Sequence, residues 1–317
     1  MPEIRPPEIA PYHLNMRPEH EPLTDDALDE VVAFMRRSNP FAQKAWGWDT
    51  GRFVDWRWGV NTLFEAASPG WFSAHCRVFR DGSEIRALGI AEYGSESECV
   101  ITGGPDPEAV AHALSWLIDR HAERGIGLRF DFSDAEEWLR ELFKSSGLVE
   151  EPTATGIEWE YDLRNLGDPP PVSEGFSIES LLEAREGDYA GIAECIQQGF
   201  GSELDHEPSL RSLESNPFFQ PELSVIARSP EGRIAAYCRG TVDPDNGVGG
   251  IDPVVCHPDF QRMGLSKALV HTCFRTQRAL GGRFSYIGSA PEPAPGTYLY
   301  QSLGPSSRNV TRTWSVV

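Results

Sequence analysis

The stretch HPDFQRMGLSKALVH, residues 257–271, places Gly264 where a helix is about to begin. Glycine weakens a helix by roughly 1 kcal/mol relative to alanine, so the position asks for a use other than local stability. Anion binding is a use that fits. The first turn of a helix leaves amide N–H groups unpaired, the positive end of the helix dipole adds to them, and a glycine lets a phosphate approach the backbone. Arg262 and Lys267 add positive charge beside it. One glycine near a helix start is common, so the rest of the chain has to support this reading.

Other reactive residue types are less telling. The six cysteines, Cys76, Cys99, Cys195, Cys238, Cys256 and Cys273, form no C-x-x-C pair and meet no histidine at zinc-finger spacing. Neither a metal centre nor a disulfide framework is expected from them, and buried, reduced thiols fit better. The segment WGWDTGRFVDWRWG, residues 46–59, concentrates four tryptophans. With Asp55 and Arg57 alternating with Trp56 and Trp58, it either lines a pocket for a cation or a ring or packs as core, and packing is the commoner use.

The elements that would position these residues fall into two similar series. In the second half, 176–181 reads as a strand, 188–200 as an amphipathic helix, 209–216 as a shorter helix, and 223–229 with 233–242 as a hairpin turning at Glu231-Gly232. A strand in GGIDPVVCHP, the helix after Gly264, the strand RFSYIGS, the short helix GTYLYQSLG and the strand NVTRTWSVV follow. The first half offers helices at 25–37 and 52–64, a hairpin turning at Asp81-Gly82, a strand at 98–103, a helix at 107–125, a strand at 127–132, a helix at 134–147 and a strand at 157–163. This is the second series again, without a clear first strand, and a tandem duplication explains it. DLRNLGDPPPVSEG, residues 162–175, is the best linker, with the boundary placed near Pro170.

Charge narrows the partners. The chain of 317 residues carries a formal net charge of −20, with 30 acids against 16 bases in residues 1–165 and 18 against 12 in the remainder. Nucleic-acid binding, which needs clustered Lys and Arg, is not expected. A cationic small substrate is favoured by the field, and solubility alone is an equally good account of the acidity. No apolar run reaches the length of a membrane span, and the opening MPEIRPPEIAPYH has no signal-peptide pattern, so a cytoplasmic protein is expected.

The region around Gly264 resembles the acetyl-CoA motif of the GNAT superfamily of N-acetyltransferases, Q/R-x-x-G-x-G/A after a strand ending in V-x-P. Gln261-Arg262-Met263-Gly264-Leu265-Ser266 fills the motif, with Ser266 in the last small position, and Cys256-His257-Pro258 fills the strand end, Cys256 replacing valine. PAPGTYLYQSLG, residues 293–304, is similar to the family's N-A-P-A-x-x-L-Y-x-x-L-G-F segment, with Pro293 and Pro305 in place of its asparagine and phenylalanine. The element order of 176–317 is also the family's. The resemblance implies an α/β (α+β) chain of two GNAT-like domains, each a mixed, mostly antiparallel central sheet flanked by helices. On that layout residues 1–168 form a degenerate domain, 169–175 a proline-rich linker, and 176–317 an active acetyl-CoA-binding domain.

The same resemblance implies the chemistry. Acetyl-CoA, as co-substrate and without a metal, would meet the backbone of Val254, Val255 and Cys256 where two strands splay, and would set its pyrophosphate on Gln261, Arg262, Met263, Gly264, Leu265, Ser266 and Lys267. Tyr300 stands at the family's catalytic tyrosine and would protonate the leaving thiolate, its alternative being a core tyrosine. Asp252, the nearest acid to the implied acetyl site, would accept the amine's proton or is a solvated strand-end carboxylate. His257 is a competitor that the V-x-P position turns away from the acceptor. Cys256 admits an acyl-cysteine intermediate, with packing the simpler account. In the first half Asp106, Pro107 and Glu108 occupy the corresponding helix start, which removes donors and repels a pyrophosphate, while Gly103 and Gly104 leave some cofactor binding open.

These readings converge on acetyl transfer from acetyl-CoA to a small polar amine by direct attack, in a monomer or homodimer with no nucleic-acid or membrane partner. A CoA-binding or ligand-sensing protein without turnover and a protein amino-group acetyltransferase are the alternatives.

Overall fold

The computed structural model describes residues 19–92, 97–102, 104–124 and 128–316; the opening segment, Gly103 and Gly127 lie outside them. The chain runs β1 (His20–Pro22), α1 (Leu28–Trp46), α2 (Thr50–Trp58), α3 (Val60–Ala67), α4 (Trp71–His75), β2 (Cys76–Asp81), β3 (Glu84–Ala91) and β4 (Ser97–Thr102). Next come α5 (Pro107–Arg124), β5 (Arg129–Ser133), α6 (Glu137–Ser145), β6 (Leu148–Asp162), β7 (Ser177–Ser180), α7 (Asp188–Phe200) and α8 (Glu207–Ser212). The series ends with β8 (Ser224–Arg228), β9 (Ile234–Asp243), β10 (Val248–Cys256), α9 (Leu265–Ala279), β11 (Phe284–Ser289), α10 (Pro295–Gln301) and β12 (Ser307–Val316).

Two compact units emerge. Unit 1 comprises the described residues of Met1–Gly47, Phe72–Thr155 and Val310–Val317, and unit 2 comprises Trp48–Trp71 and Gly156–Asn309. These limits differ from a division at residues 169–175, and hydrogen bonding gives the reason. Ile157–Asp162 of β6 pairs antiparallel with β11 inside unit 2, while Thr311–Ser315 of β12 pairs antiparallel with β5 inside unit 1. Each unit therefore takes its last strand from the opposite end of the sequence series. The polyproline stretch lies within unit 2 and packs there: Gly167 O meets His271 Nε2 at 2.9 Å, and Ser173 Oγ donates to Met263 O at 2.7 Å.

In unit 2 the strand order is β6-β11-β10-β9-β8-β7, antiparallel throughout except for the parallel pair β10 and β11. Strand alternation separates two faces. Ala236 and Cys238 of β9, with Trp159, Tyr161 and Ile287, join Leu265, Leu269 and Phe274 of α9 in one cluster. Tyr237, between them, joins Tyr189, Ile192 and Ile196 of α7 in the other. Helix α9 follows from the spacing of Leu265, Ala268, Leu269 and Cys273, which builds one apolar stripe.

Unit 1 repeats the order as β1-β2-β3-β4-β5 with β12 beside β5, again with one parallel pair, β4 and β5. Its core is aromatic: Phe132, Phe143 and Trp314 lie within 4.9–6.1 Å of one another, and Trp46 sits 5.7 Å from Phe132. Helix α1 runs past the expected 25–37, on through Pro40, because Ala42, Ala45 and Trp46 continue its buried face. Burial outweighs the hydrogen bond that proline removes.

Candidate active site

The parallel strands of unit 2 part company. β10 pairs with β11 over Val248–Gly250 only, then continues against β9 through Val254, Val255 and Cys256. β11 meanwhile continues against β6 to Ser289. A register shift between Ile251 and Val254 bends β10 at the separation, and Asp252 and Pro253 occupy the bend. From there to Cys256, the backbone edge of β10 that faces β11 is left for a ligand.

Past Cys256, His257 caps the next turn, its Nδ1 accepting the Asp259 N–H at 3.2 Å while Nε2 lies 3.4 Å from Arg233. It is buried and holds the loop in shape. Gln261, Arg262, Met263 and Gly264 are exposed, and Leu265, 1% exposed, anchors the helix start in the core. Gly264 is the N-cap of α9 with φ 78°, a conformation that L side chains avoid, and it supplies no side-chain cap. Arg262 is the one non-glycine residue of positive φ among the described residues, at 67°. Such turns aim successive amides to one side and form anion-binding concavities. A Cβ at Gly264 would meet nothing within 4 Å, so the cradle is open. Lys267 has a partner already: its Nζ donates to Ser302 O at 3.0 Å and ties α9 to the end of α10. Ser266 lies against Cys256, and burial pushes the Cys256 thiol up, which opposes a nucleophilic role.

Tyr300 of α10 is 7% exposed and shares the α9-face cluster with Cys238 and Ile251. Its carbonyl accepts the Tyr161 hydroxyl at 2.9 Å. Burial, with Cys238 and Asp252 in electrostatic range, raises its phenol above the ordinary value, so the group is a proton donor at neutral pH. Asp252 lies on β10 with 76% of its side chain open to water and Arg52 Nη1 at 3.9 Å. Surrounding protein raises its pKa by desolvation, against the pull of Arg52; the water at its surface screens that effect.

Sequence reasoning missed the neighbour that faces Asp252. Helix α2 lies on the Tyr237 face of unit 2, seated where a side chain at Gly51 would collide with Thr241. Asp55 forms a two-pronged pair with Arg239, Oδ2 to Nε at 2.6 Å and Oδ1 to Nη2 at 2.5 Å, and Arg239 is 3% exposed. Asp49 caps the helix, its Oδ1 accepting the Arg52 N–H at 2.7 Å. Its Oδ2 lies 3.1 Å from where a Cβ of Gly250 would stand, so glycine there admits the carboxylate to the strand. Asp49 is 3% exposed, and burial pushes its pKa up to about 6. Trp48 and Trp56 are buried, 6.0 Å apart, and the cation over Trp48 is the chain's own Arg52 at 4.9 Å. Asp49 before a helix was legible as a cap; nothing in the sequence pointed it at β10.

Comparison with known proteins locates the family. The sequence model described as Acetyltransferase (GNAT) family matches residues 180–304. No curated protein sequence matches. Among solved structures, a tandem GNAT protein from the clavulanic acid biosynthesis pathway is similar at TM-score 0.60 and 14% identity, covering 94% of this chain and 98% of that one. A GCN5-related N-acetyltransferase from Sphaerobacter thermophilus gives 0.58 and 15%, covering 95% and 96%. One from Kribbella flavida gives 0.51 and 18%, covering 73% and 86%. At such identities the likeness is one of fold: residues 180–304 match the GNAT family model, within a chain whose fold is that of tandem GNAT proteins.

Proposed function

We propose that unit 2 transfers the acetyl group of acetyl-CoA to the amine of a small polar molecule by direct attack. The observation that carries this reading is the parting of β10 from β11 with an uncapped helix start at its end. The backbone of Val254, Val255 and Cys256 pairs with the pantetheine amides, and the amides that follow Gln261, whose own N–H goes to Pro258 O, hold the pyrophosphate across residues 262–267, aided by the charge of Arg262. Acetyl-CoA, when bound, supplies a thioester that an amine can attack. Tyr300 donates a proton to the departing sulfur, and its burial keeps that proton in place until then. Asp252, at the bend of β10, faces the acceptor side and contributes negative charge.

Release of free thiol from acetyl-CoA in the presence of a panel of primary amines tests the reading, with calorimetric titration of acetyl-CoA run beside it. Amine-dependent thiol release with one bound acetyl-CoA per chain is expected. Binding without release would leave a CoA-binding protein, and release with peptides alone would move the acceptor to protein amino groups. Absence of binding would remove the reading altogether.

A further inference from the structure

At the point where β10 and β11 separate, one buried carboxyl group has no counterpart in the assignments so far. Gly250 is the last β10 residue paired to β11, opposite Tyr286, and Asp49 Oδ2 stands over it. Strand alternation puts Gly288 on the same face as Tyr286, and a Cβ at Gly288 would meet nothing within 4 Å. There is room beside Tyr286 on the face that Asp49 overlooks. The groups around Asp49 come from four elements. Arg52 and Asp55 lie on its own helix, Asp243 on β9, Asp252 on β10, bridged to α2 through Arg52, and Tyr286 on β11 with its hydroxyl donating to Glu160 at 2.9 Å. Arg239 is taken up by Asp55, and the remaining acids outnumber Arg52, so the surroundings favour a cation.

Resting on the transferase reading above, we propose that the acceptor arrives as an aliphatic ammonium ion and that Asp49, supplied by the Trp48–Trp71 segment, takes its first proton. The step is balanced. One N–H proton passes to the Asp49 carboxylate, leaving a neutral amine whose lone pair forms the C–N bond as the C–S bond breaks. The Tyr300 proton goes to the sulfur, the remaining excess proton on nitrogen replaces it on Tyr300, and Asp49 returns its proton to water. A base ionised near neutrality suits this task, and the buried Asp49 carboxyl has that property where the open Asp252 has less of it.

The test compares acetyl transfer from acetyl-CoA to spermidine, an alkylammonium ion at neutral pH, with transfer to hydroxylamine, which is largely uncharged there. The full chain is used with Asp49→Asn and Asp49→Ser, both of which keep an oxygen to cap α2. In the wild type, kcat/KM for spermidine is expected to rise with pH through a limb at about 6, as Asp49 ionises. Both variants lose that limb and fall about 100-fold further with spermidine than with hydroxylamine. A variant that keeps the limb, or that falls equally with both acceptors, overturns the assignment and leaves Asp49 a helix cap. Transfer to hydroxylamine with none to spermidine overturns the ammonium acceptor while the transferase reading stands. Failure of the wild type to bind acetyl-CoA removes both.

Discussion

The two units open their parallel strands alike and begin the following helix in opposite ways. In unit 1, β4 pairs with β5 at Ser97 and Glu98, then runs on to Thr102 against β3 while β5 runs on to Ser133 against β12. This is the same parting as that between β10 and β11. After it, α9 starts at an uncapped glycine, whereas α5 starts at Asp106, whose Oδ1 accepts the Ala109 N–H at 3.1 Å. Asp106 Oδ2 in turn accepts Arg86 Nε at 2.7 Å, and Pro105 and Pro107 bring no N–H donors. A cleft of about 580 Å³ lies at this start, lined by Arg37, Glu84, Arg86, Asp106 and Glu108 among others, so unit 1 does not lack room there. Free donors distinguish the two units. Where a side chain caps the helix, it takes the amides a phosphate would need.

Arginine–aspartate pairs mark both regions, buried in unit 2 and half-open in unit 1, and breaking them should separate the units most sharply. Asp55→Ala strands Arg239 in the interior of unit 2, with an expected loss of about 3–5 kcal/mol in urea unfolding. A loss below about 1 kcal/mol would show that water reaches Arg239 and that α2 is not held by this pair. Gly264→Glu puts a carboxylate against the proposed pyrophosphate, and calorimetry is expected to give acetyl-CoA binding at least about 100-fold weaker, a difference of about 2.7 kcal/mol. If binding survives, or if two sites per chain are found, the helix start of unit 1 has been misjudged.

Much of this arrangement was legible in the sequence, because its signals are local. The hairpin turns at Asp81-Gly82 and Glu231-Gly232, the apolar stripe of α9 and the proline-marked α10 all form at or near their expected places. So did Gly264, since a glycine at a helix start after a strand is a short-range pattern. What was not legible depends on partners far apart in sequence. The exchange of β6 and β12 cannot be read from strands that look equally suited to either sheet. The polyproline stretch reads as a linker by composition, yet its hydrogen bonds run to His271 and Met263. Asp55 reads only as part of a tryptophan-rich pocket or packing segment and Asp49 is not singled out, and only the fold sets them against Gly250 and Arg239.

A smaller effect is expected at the capped start. Asp106→Ala removes the N-cap of α5 and one partner of Arg86, whose side chain is 34% exposed. Solvent screening keeps the ion-pair share small, so the loss should be about 1–2 kcal/mol, carried mainly by the cap. Acetyl-CoA affinity should stay within about threefold, since Pro105 and Pro107 still withhold donors. A new acetyl-CoA site in Asp106→Ala would mean that the cap alone closed unit 1, and it would make the prolines incidental.

The finest comparison uses two glycines whose surroundings match. A Cβ at Gly264 or at Gly104 would meet nothing within 4 Å, so alanine fits the space at either. Their backbones differ: Gly264 sits at φ 78°, while Gly104 lies outside the left-handed region. Alanine at 264 therefore carries the left-handed cost of about 1 kcal/mol, and alanine at 104 carries none and loses less unfolded-chain entropy than glycine. Urea unfolding should show Gly264→Ala destabilised by about 1 kcal/mol and Gly104→Ala within about 0.5 kcal/mol of the wild type. Equal effects would mean that the glycine at 264 is not held by its backbone conformation, and the ligand's approach would then be the sole physical reason for glycine at that turn.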